Sequence, residues 1–221
     1  MNPSAILHVT SLFGGGVDRH VRDIVRTVAR PHFVWHAGAG VDVIEDARRG
    51  RFFPLGRGAV GDSLARWLRG RRIGLVHLHQ LTAAPRERSD WACRVLGVPR
   101  LSTLHDILFL RADAFSARDP LAPDPAWLAD TSRVLRDSVA VLAPSRWLAD
   151  LAFRSVAGIA VDVVPNGVAV PGTAPGTVSG AARVREAFAQ RRPGRVVALV
   201  GALGPHKGSG LVEEIAARLE G

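Results

Sequence analysis

Histidines follow two apolar runs of the sequence, at the points where strands are expected to end. His77 and His79 lie in the segment HLHQ (residues 77–80), and His105 lies in STLHD (residues 102–106). Residues two apart on a strand share one face, so His77 is expected to pack partly against the sheet and His79 to point toward a cleft. Ligands of open α/β sheets bind beyond the carboxyl ends of strands, which makes His79, His105 and the neighbouring Asp106 candidates for substrate contact.

These histidines alone do not predict a metal centre. A metal site needs more ligands than His77 and His79, and no cysteine or carboxylate partner is apparent beside them. Cys93 is the only cysteine and falls in an apolar helical pattern, which is typical of a small core residue. We therefore expect no metal ligands and no cofactor.

A glycine run lies between the first expected strand and the first expected helix, in the segment LFGGGVDRH (residues 12–20). Glycines there let the backbone approach a ligand closely, and the helix that follows offers free N–H groups. Gly15, Gly16 and His20 are the candidate contacts. The segment is not a dinucleotide fingerprint, because Arg19 stands where Gly or Ala is required.

A second glycine-rich segment, VGALGPHKGS (residues 200–209), follows an apolar run and precedes a helical pattern. It departs from the Walker pattern, because Lys207 precedes Gly208 and does not follow a glycine. Lys207 is nevertheless the only lysine of the chain, and a cation in such a loop is well placed to hold a diphosphate. Asn166 and Gly167 form a turn signal after an earlier strand.

Short apolar runs alternate with helical patterns along the chain, which favours an α/β fold with a parallel, doubly wound sheet. A segment rich in Pro, Gly, Thr and Ser follows residue 170 and is typical of a linker. We predict a Rossmann-like first domain over residues 1–170, a linker over 171–180, and the incomplete beginning of a second domain over 181–221. Expected strands are 5–10, 33–37, 74–79, 100–104, 139–143, 161–164 and 196–200, with two uncertain ones at 42–45 and 51–55. Expected helices are 17–30, 62–70, 88–96, 126–137, 145–155, 181–190 and one ending near 219.

The chain carries a formal net charge of +9, and 22% of its residues are charged. Arginines account for almost all the positive charge and are spread along the chain, so no nucleic-acid partner is expected. A single cysteine, the absence of a signal-peptide pattern, and apolar stretches shorter than about 18 residues favour a cytoplasmic location. The helix expected from Asp62 combines an apolar stripe with four arginines up to Arg72, which suggests peripheral contact with an anionic membrane, whereas such stripes normally face a core.

The order of these motifs resembles GT-B glycosyltransferases of family 4. The matching features are the glycine loop, His-x-His, Thr-x-His-Asp, Ala-Pro-Ser at residues 143–145, Pro-Asn-Gly-Val at 165–168, and Gly-x-x-x-Pro-x-Lys-Gly at 201–208. The resemblance implies two Rossmann-like domains, with a nucleotide-sugar donor and a glycan or lipid-linked acceptor bound between them. It implies a retaining transfer that needs no metal.

The resemblance also implies roles for particular residues. Catalytic roles fall to His105, which would orient the donor sugar, and to Lys207, which would neutralise the leaving diphosphate. Donor contacts fall to Gly15, Gly16, Asn166, Gly204 and His206. The acceptor side falls to His20, His79 and Asp106.

Two departures leave alternatives open. The family often has an arginine where this chain has Ala202, and the pair of glutamates that holds the donor lies beyond the residues present. The chain is therefore expected to be an incomplete fragment that folds without turning over donor. The alternatives are a non-catalytic acceptor-binding or partner module of the same fold, and a GT-B sugar-nucleotide epimerase.

Overall fold

The computed structural model describes residues 4–11, 14–38, 42–55, 60–167, 186 and 209–220. The chain forms two compact units, residues 1–167 and residues 168–221. The described part of the first unit is an α/β domain, and that of the second is residue 186 and one helix. The helix and strand predicted at 181–190 and 196–200 lie outside the described residues, apart from residue 186, which is helical.

Strands and helices alternate along the first unit. The strands are β1 (Ala5–Thr10), β2 (His32–His36), β3 (Asp42–Asp46), β4 (Arg51–Leu55), β5 (Ile73–Leu78), β6 (Arg100–Thr103), β7 (Ala140–Ala143) and β8 (Asp162–Val163). The helices are α1 (Gly15–Thr27), α2 (Asp62–Gly70), α3 (Ala83–Leu96), α4 (Pro125–Arg136) and α5 (Arg146–Ser155), followed in the second unit by α6 (Ser209–Glu220). Each strand expected in residues 5–164 is present, with ends shifted by at most one residue.

All eight strands form one sheet in the order β4-β3-β2-β1-β5-β6-β7-β8. The six strands from β2 to β8 in that order are parallel, as predicted. At one edge the sheet departs from the predicted parallel pairing, because β3 pairs antiparallel with both β2 and β4. The reason is the short connections there, since parallel neighbours need a crossover of a dozen or more residues.

The strand order reverses direction at β1, which lies between β2 and β5. The chain therefore builds the sheet outward from β1 on both sides, as in Rossmann-like domains. This arrangement opens a crevice at the carboxyl ends of β1 and β5, because the connections leave those two strands in opposite directions. It confirms the predicted doubly wound α/β class.

Local chemistry fixes the helix ends. Asp124 caps α4 by accepting hydrogen bonds from the backbone N–H groups of Ala126 and Trp127, and Ser145 caps α5 as predicted. Helix α3 begins at Ala83, five residues earlier than predicted, because Pro85 lies in its first turn, where a missing N–H costs nothing. Gly97 ends α3 in the left-handed conformation with φ 65°.

Helix α2 packs its apolar stripe against the sheet. Leu64 and Leu68 are buried, and Trp67 makes edge contacts with Phe33 and Phe53. The guanidinium of Arg71 lies 4.4 Å from the centre of the Trp67 ring. The stripe therefore faces the core, and Arg66 and Arg69 of α2 are exposed. No helix among the described residues is long and apolar enough to cross a bilayer.

The interior of the sheet is unusually polar near β1. Apolar side chains such as Leu7, Val9 and Trp35 form the core, with Trp35 in edge contact with Trp91 at 5.8 Å. His8, on the same strand as Leu7 and Val9, is also fully buried, and further buried histidines lie on β2 and β5. Buried polar groups are costly unless they are hydrogen-bonded, so this cluster needs internal partners.

An ion pair fixes α1 to the edge of the sheet. Arg22 on α1 makes a two-pronged contact with Glu45 on β3, with one N–O distance of 2.7 Å. Burial opposes the ionised form of Glu45, but the Arg22 guanidinium outweighs it and lowers the pKa of the carboxyl. The contact helps to place the first turn of α1 relative to the sheet.

Candidate functional site

The carboxyl ends of β1 and β5 are tied together at the point where the strand order reverses. The side-chain oxygen of Gln80 accepts hydrogen bonds from the Thr10 hydroxyl at 3.0 Å, from the Ser11 backbone N–H at 2.7 Å and from the Ser11 hydroxyl. The backbone N–H of His79 also donates to the carbonyl of Val9 at 2.9 Å. The two strand ends are thus held in one geometry at the mouth of the crevice.

The glycine loop leads directly from this point into α1. Gly14 caps the helix with φ 83° and ψ 178°, and Gly15 has φ 77°, both of which side chains other than glycine rarely adopt. Among the described residues, a Cβ at Gly14, Gly15 or Gly16 would meet nothing within 4 Å. In the part of the chain that the structure describes, no side chain caps α1, so its first N–H groups suit an anionic ligand.

Three histidines from different elements meet beside this loop. His20 from α1 makes edge contacts with the rings of His105 at 5.0 Å and His79 at 5.9 Å. Nδ1 of His79 lies 3.3 Å from Nε2 of His105. The structure therefore brings together three of the predicted site residues, on an α-helix and after two adjacent strands.

His79 does not line the crevice as predicted, because its side chain is 0% exposed. The prediction that it shares a face with His77 is confirmed, since their rings lie 3.8 Å apart. His20 and His105 cover it, and both are partly exposed. His79 can therefore act on a ligand through His105.

A second layer of histidines lies behind His79. Nε2 of His79 is 2.9 Å from Nδ1 of His8, and Nε2 of His8 is 2.9 Å from Nδ1 of His32. Nε2 of His32 in turn lies 3.0 Å from the carbonyl oxygen of Val28. His77 leaves this row and pairs its Nε2 with the hydroxyl of Thr103 at 2.8 Å.

Burial keeps these imidazoles neutral. Burial, with a smaller contribution from neighbouring histidines, lowers the pKa of His105 to about 4 and that of His77 to about 3. It also holds the pKa values of His8 and His79 well below the ordinary value. Neutral imidazoles each offer one donor and one acceptor, which suits a hydrogen-bonded network.

The same pKa shifts predict how stability depends on pH. In the unfolded chain the histidines bind protons near pH 6.5, whereas the buried rings do so only at lower pH. Acid therefore favours the unfolded state, and we expect the free energy of unfolding to fall as the pH drops from about 7 toward 4. Each such ring contributes up to about 1.4 kcal/mol per pH unit within its window.

Urea unfolding between pH 7 and 4.5 measures this dependence. His77→Gln is the matched variant, because its amide can reach Thr103 but cannot titrate. Its stability should fall less steeply with acid than that of the wild type. Equal slopes for the two proteins would show that His77 is not held neutral by the fold.

The structure supplies the third imidazole that the sequence did not reveal. The ligand nitrogens of His8, His77 and His79 lie within 4.8 Å of one another, and so do those of His20, His79 and His105. Three imidazoles are a sufficient protein ligand set for some zinc sites. The sequence showed no cysteine or carboxylate partner for His77 and His79, and the further nitrogens that the structure places beside them are imidazoles.

The other predicted site residues are Asp106, Asn166, Gly204, His206 and Lys207. The Asp106 carboxylate accepts a hydrogen bond from the backbone N–H of Leu108 at 2.9 Å and so shapes the turn after β6. Burial raises the pKa of Asp106. Asn166 is exposed near the end of the first unit, while Gly204, His206 and Lys207 lie outside the described residues.

Sequence reasoning missed three residues of this site. Gln80 belongs to a motif but was given no role, His8 was interpreted only as part of a strand, and His32 was given no role. A signal was present in each case: a histidine inside an apolar strand needs a buried partner, and a polar side chain just after a strand end can bind the neighbouring strand end.

Comparison with known proteins identifies the first unit. A search among curated proteins found no match. Residues 14–170, which are more than half of the chain, match the family model described as Glycosyltransferase Family 4. The match includes the glycine loop, His79 and His105, and it agrees with the Rossmann-like sheet. The chain belongs to glycosyltransferase family 4.

Proposed function

We propose that the chain serves the transfer of a sugar from a nucleotide-sugar donor to an acceptor hydroxyl. The observation that carries the proposal is the convergence of three features at the reversal of the strand order. These are the open glycine loop before α1, the tied ends of β1 and β5, and the His20–His79–His105 group. Family membership supports a glycosyltransferase-type function.

The glycine loop suits the phosphates of the donor. Gly14 and Gly15 hold backbone conformations that keep the loop open, and the N-terminus of α1 carries partial positive charge. We assign donor contacts to the backbone at Gly15 and Gly16. By the family resemblance, Asn166, Gly204 and His206 complete the donor side.

His105 suits the sugar itself. It follows β6, is partly exposed, and has its Nε2 occupied by His79, so its Nδ1 is the atom available to a sugar hydroxyl. We assign the acceptor side to His20 and Asp106, with His79 acting from behind His105. Lys207 would neutralise the leaving diphosphate, so the proposed transfer proceeds with retention and without a metal.

The acceptor is proposed to be a glycan or a lipid-linked sugar. The apolar stripe of α2 is packed against the sheet, so contact with an anionic membrane would rest on the exposed Arg66, Arg71 and Arg72. Sedimentation with anionic and neutral vesicles at two salt concentrations tests this contact. Equal, salt-insensitive binding to both vesicle types would exclude it.

The proposed transfer can be tested on the natural full-length protein with a panel of nucleotide-sugars and glycan acceptors. We expect release of nucleoside diphosphate that depends on the acceptor, persists in EDTA and is strongly reduced in His105→Ala. The anomeric configuration of the product, read by NMR, should match that of the donor.

Other outcomes would separate the alternatives. Binding of a glycan acceptor without any donor turnover would indicate an acceptor-binding module. Conversion of the nucleotide-sugar without an acceptor would indicate an epimerase.

A further inference from the structure

A row of four imidazoles crosses the sheet from α1 to the crevice. It runs from the Val28 carbonyl through His32, His8 and His79 to His105, with consecutive nitrogen atoms 2.9, 2.9 and 3.3 Å apart. His8 and His79 are fully buried and His32 nearly so. Every ring nitrogen along the row has one partner, up to Nδ1 of His105, which has none among the described residues.

The first partner fixes the direction of the row. A carbonyl oxygen can only accept a hydrogen bond, so Nε2 of His32 must carry its proton. In a neutral ring the other nitrogen is then an acceptor, and Nδ1 of His32 accepts from Nε2–H of His8. Which ring nitrogen bears the proton is thereby set for the first two rings.

The same reasoning continues to the crevice. Nδ1 of His8 is an acceptor and requires Nε2–H on His79. Nδ1 of His79 is then an acceptor and requires Nε2–H on His105. Nδ1 of His105 is consequently left with a lone pair and no proton. The reverse arrangement would aim a proton of His32 away from the Val28 carbonyl and leave two lone pairs facing each other there.

We propose that the three inner imidazoles are positioning residues that hold His105 as its Nε2–H tautomer and so present the Nδ1 lone pair to a substrate hydroxyl. This inference rests on the proposed function for the identity of the ligand. His105 would thus accept a hydrogen bond from the sugar and not donate one. The tautomer of His105 is set three rings away, at His32, whose Nε2–H donates to the carbonyl of Val28 at the C-cap of α1.

The arrangement gives His8 and His32 a purpose that packing alone does not. An apolar side chain could fill either position on β1 or β2 without the cost of a buried polar group. A network in which every member is satisfied can instead specify one arrangement, because in a low dielectric a single misplaced proton leaves unpaired groups. Nothing in the row requires a charged ring.

Histidine-labelled NMR tests the proposal directly. In the wild-type chain with ¹⁵N-labelled histidine, we expect the protonated nitrogen to be Nε2 in His32, His8, His79 and His105. Couplings across the N–H···N hydrogen bonds should connect the rings in that order. Detection of the Nδ1–H tautomer in His8 or His79 would overturn the proposal without any variant.

Two variants at His32 then separate positioning from packing. His32→Asn keeps an oxygen acceptor near the position of Nδ1, whereas His32→Leu removes it. We expect Asn to preserve Nε2–H on His105, and Leu to shift His105 toward the Nδ1–H tautomer as the dominant form. An unchanged His105 tautomer in a folded His32→Leu variant would contradict the proposed positioning role of His32. If Leu does not fold, a reversed tautomer in Asn would contradict it equally.

The readout does not depend on catalysis, so the two proposals fail separately. If NMR finds the predicted tautomers but no nucleotide-sugar is turned over, the proposed function is wrong and the positioning role of the three inner imidazoles stands. If a nucleotide-sugar is turned over but the opposite tautomers are found, the positioning role is wrong and the proposed function stands.

Discussion

Replacing His105 with Ala is expected to lower kcat by about 10²- to 10³-fold, the range observed when one preorganised polar contact to a transition state is removed. His105 lies beyond the carboxyl end of β6, in ring contact with His20 of α1, and its Nε2 is bonded to His79. Its inner contacts are ring contacts with His20 and His79 and one hydrogen bond to His79, whose loss costs about 1 kcal/mol. The melting temperature should therefore change little.

Two control variants make this result specific. His105→Asn keeps an oxygen acceptor near the position of Nδ1 and should retain more activity than Ala. His77→Ala should show the opposite pattern, since His77 is buried against His79 and bonded to Thr103. We expect it to lower the melting temperature and largely keep kcat. An unchanged kcat in His105→Ala, with a large fall in melting temperature, would mark His105 as structural.

The pH profile adds an independent check. Burial lowers the pKa of His105 to about 4, so the ring is neutral throughout the range in which the protein is stable. The activity should then show no acid limb near pH 6.5, the ordinary value for histidine. A solvent-exposed catalytic histidine with an ordinary pKa would instead make the activity fall as the pH drops through about 6.5.

The fold could be predicted from the sequence because its main signals are local. Apolar runs such as Ala140–Ala143 and caps such as Ser145 mark elements without reference to the rest of the chain. The β3–β4 hairpin was harder, because β4 exposes Arg51 and Phe52 and contains Pro54, which is typical of an edge. Its direction depends on pairing with β2, which no local pattern shows.

The site could be predicted only in part, for a related reason. His79 and His105 follow strands, and that position alone made them candidates. His8 and His32 contribute through register: His8 pairs across from His77, while Ile6 pairs across from His32. A shift of one residue in either pairing would turn a histidine to the other face of the sheet, so the row of rings cannot be derived without the register.

Lys207→Ala is expected to have the largest effect on kcat and on the affinity for a nucleoside diphosphate. Helix α6 begins at Ser209, two residues after Lys207, so the lysine precedes the partly positive end of a helix, as the sequence predicted. A diphosphate that leaves in the transition state gains charge there. Removing one such cation should cost about 3–4 kcal/mol in the transition state, or about 10²- to 10³-fold in kcat. Affinity for a nucleoside diphosphate should fall by about 10- to 100-fold.

Calorimetry with a nucleoside diphosphate and steady-state kinetics measure the two effects of Lys207→Ala. Lys207→Arg keeps the charge and should restore most of the binding, whereas Arg218→Ala removes an exposed cation from the last turn of α6 and should change neither quantity. Ala202→Arg supplies the arginine that the family often has in this loop and should tighten binding, because a second cation would then face the diphosphate. Since the loss expected for Lys207→Ala is electrostatic, it should shrink as salt is raised. Equal diphosphate affinity for the wild type and Lys207→Ala at low salt would exclude Lys207 from the phosphate site and assign the diphosphate to the glycine loop and α1 alone.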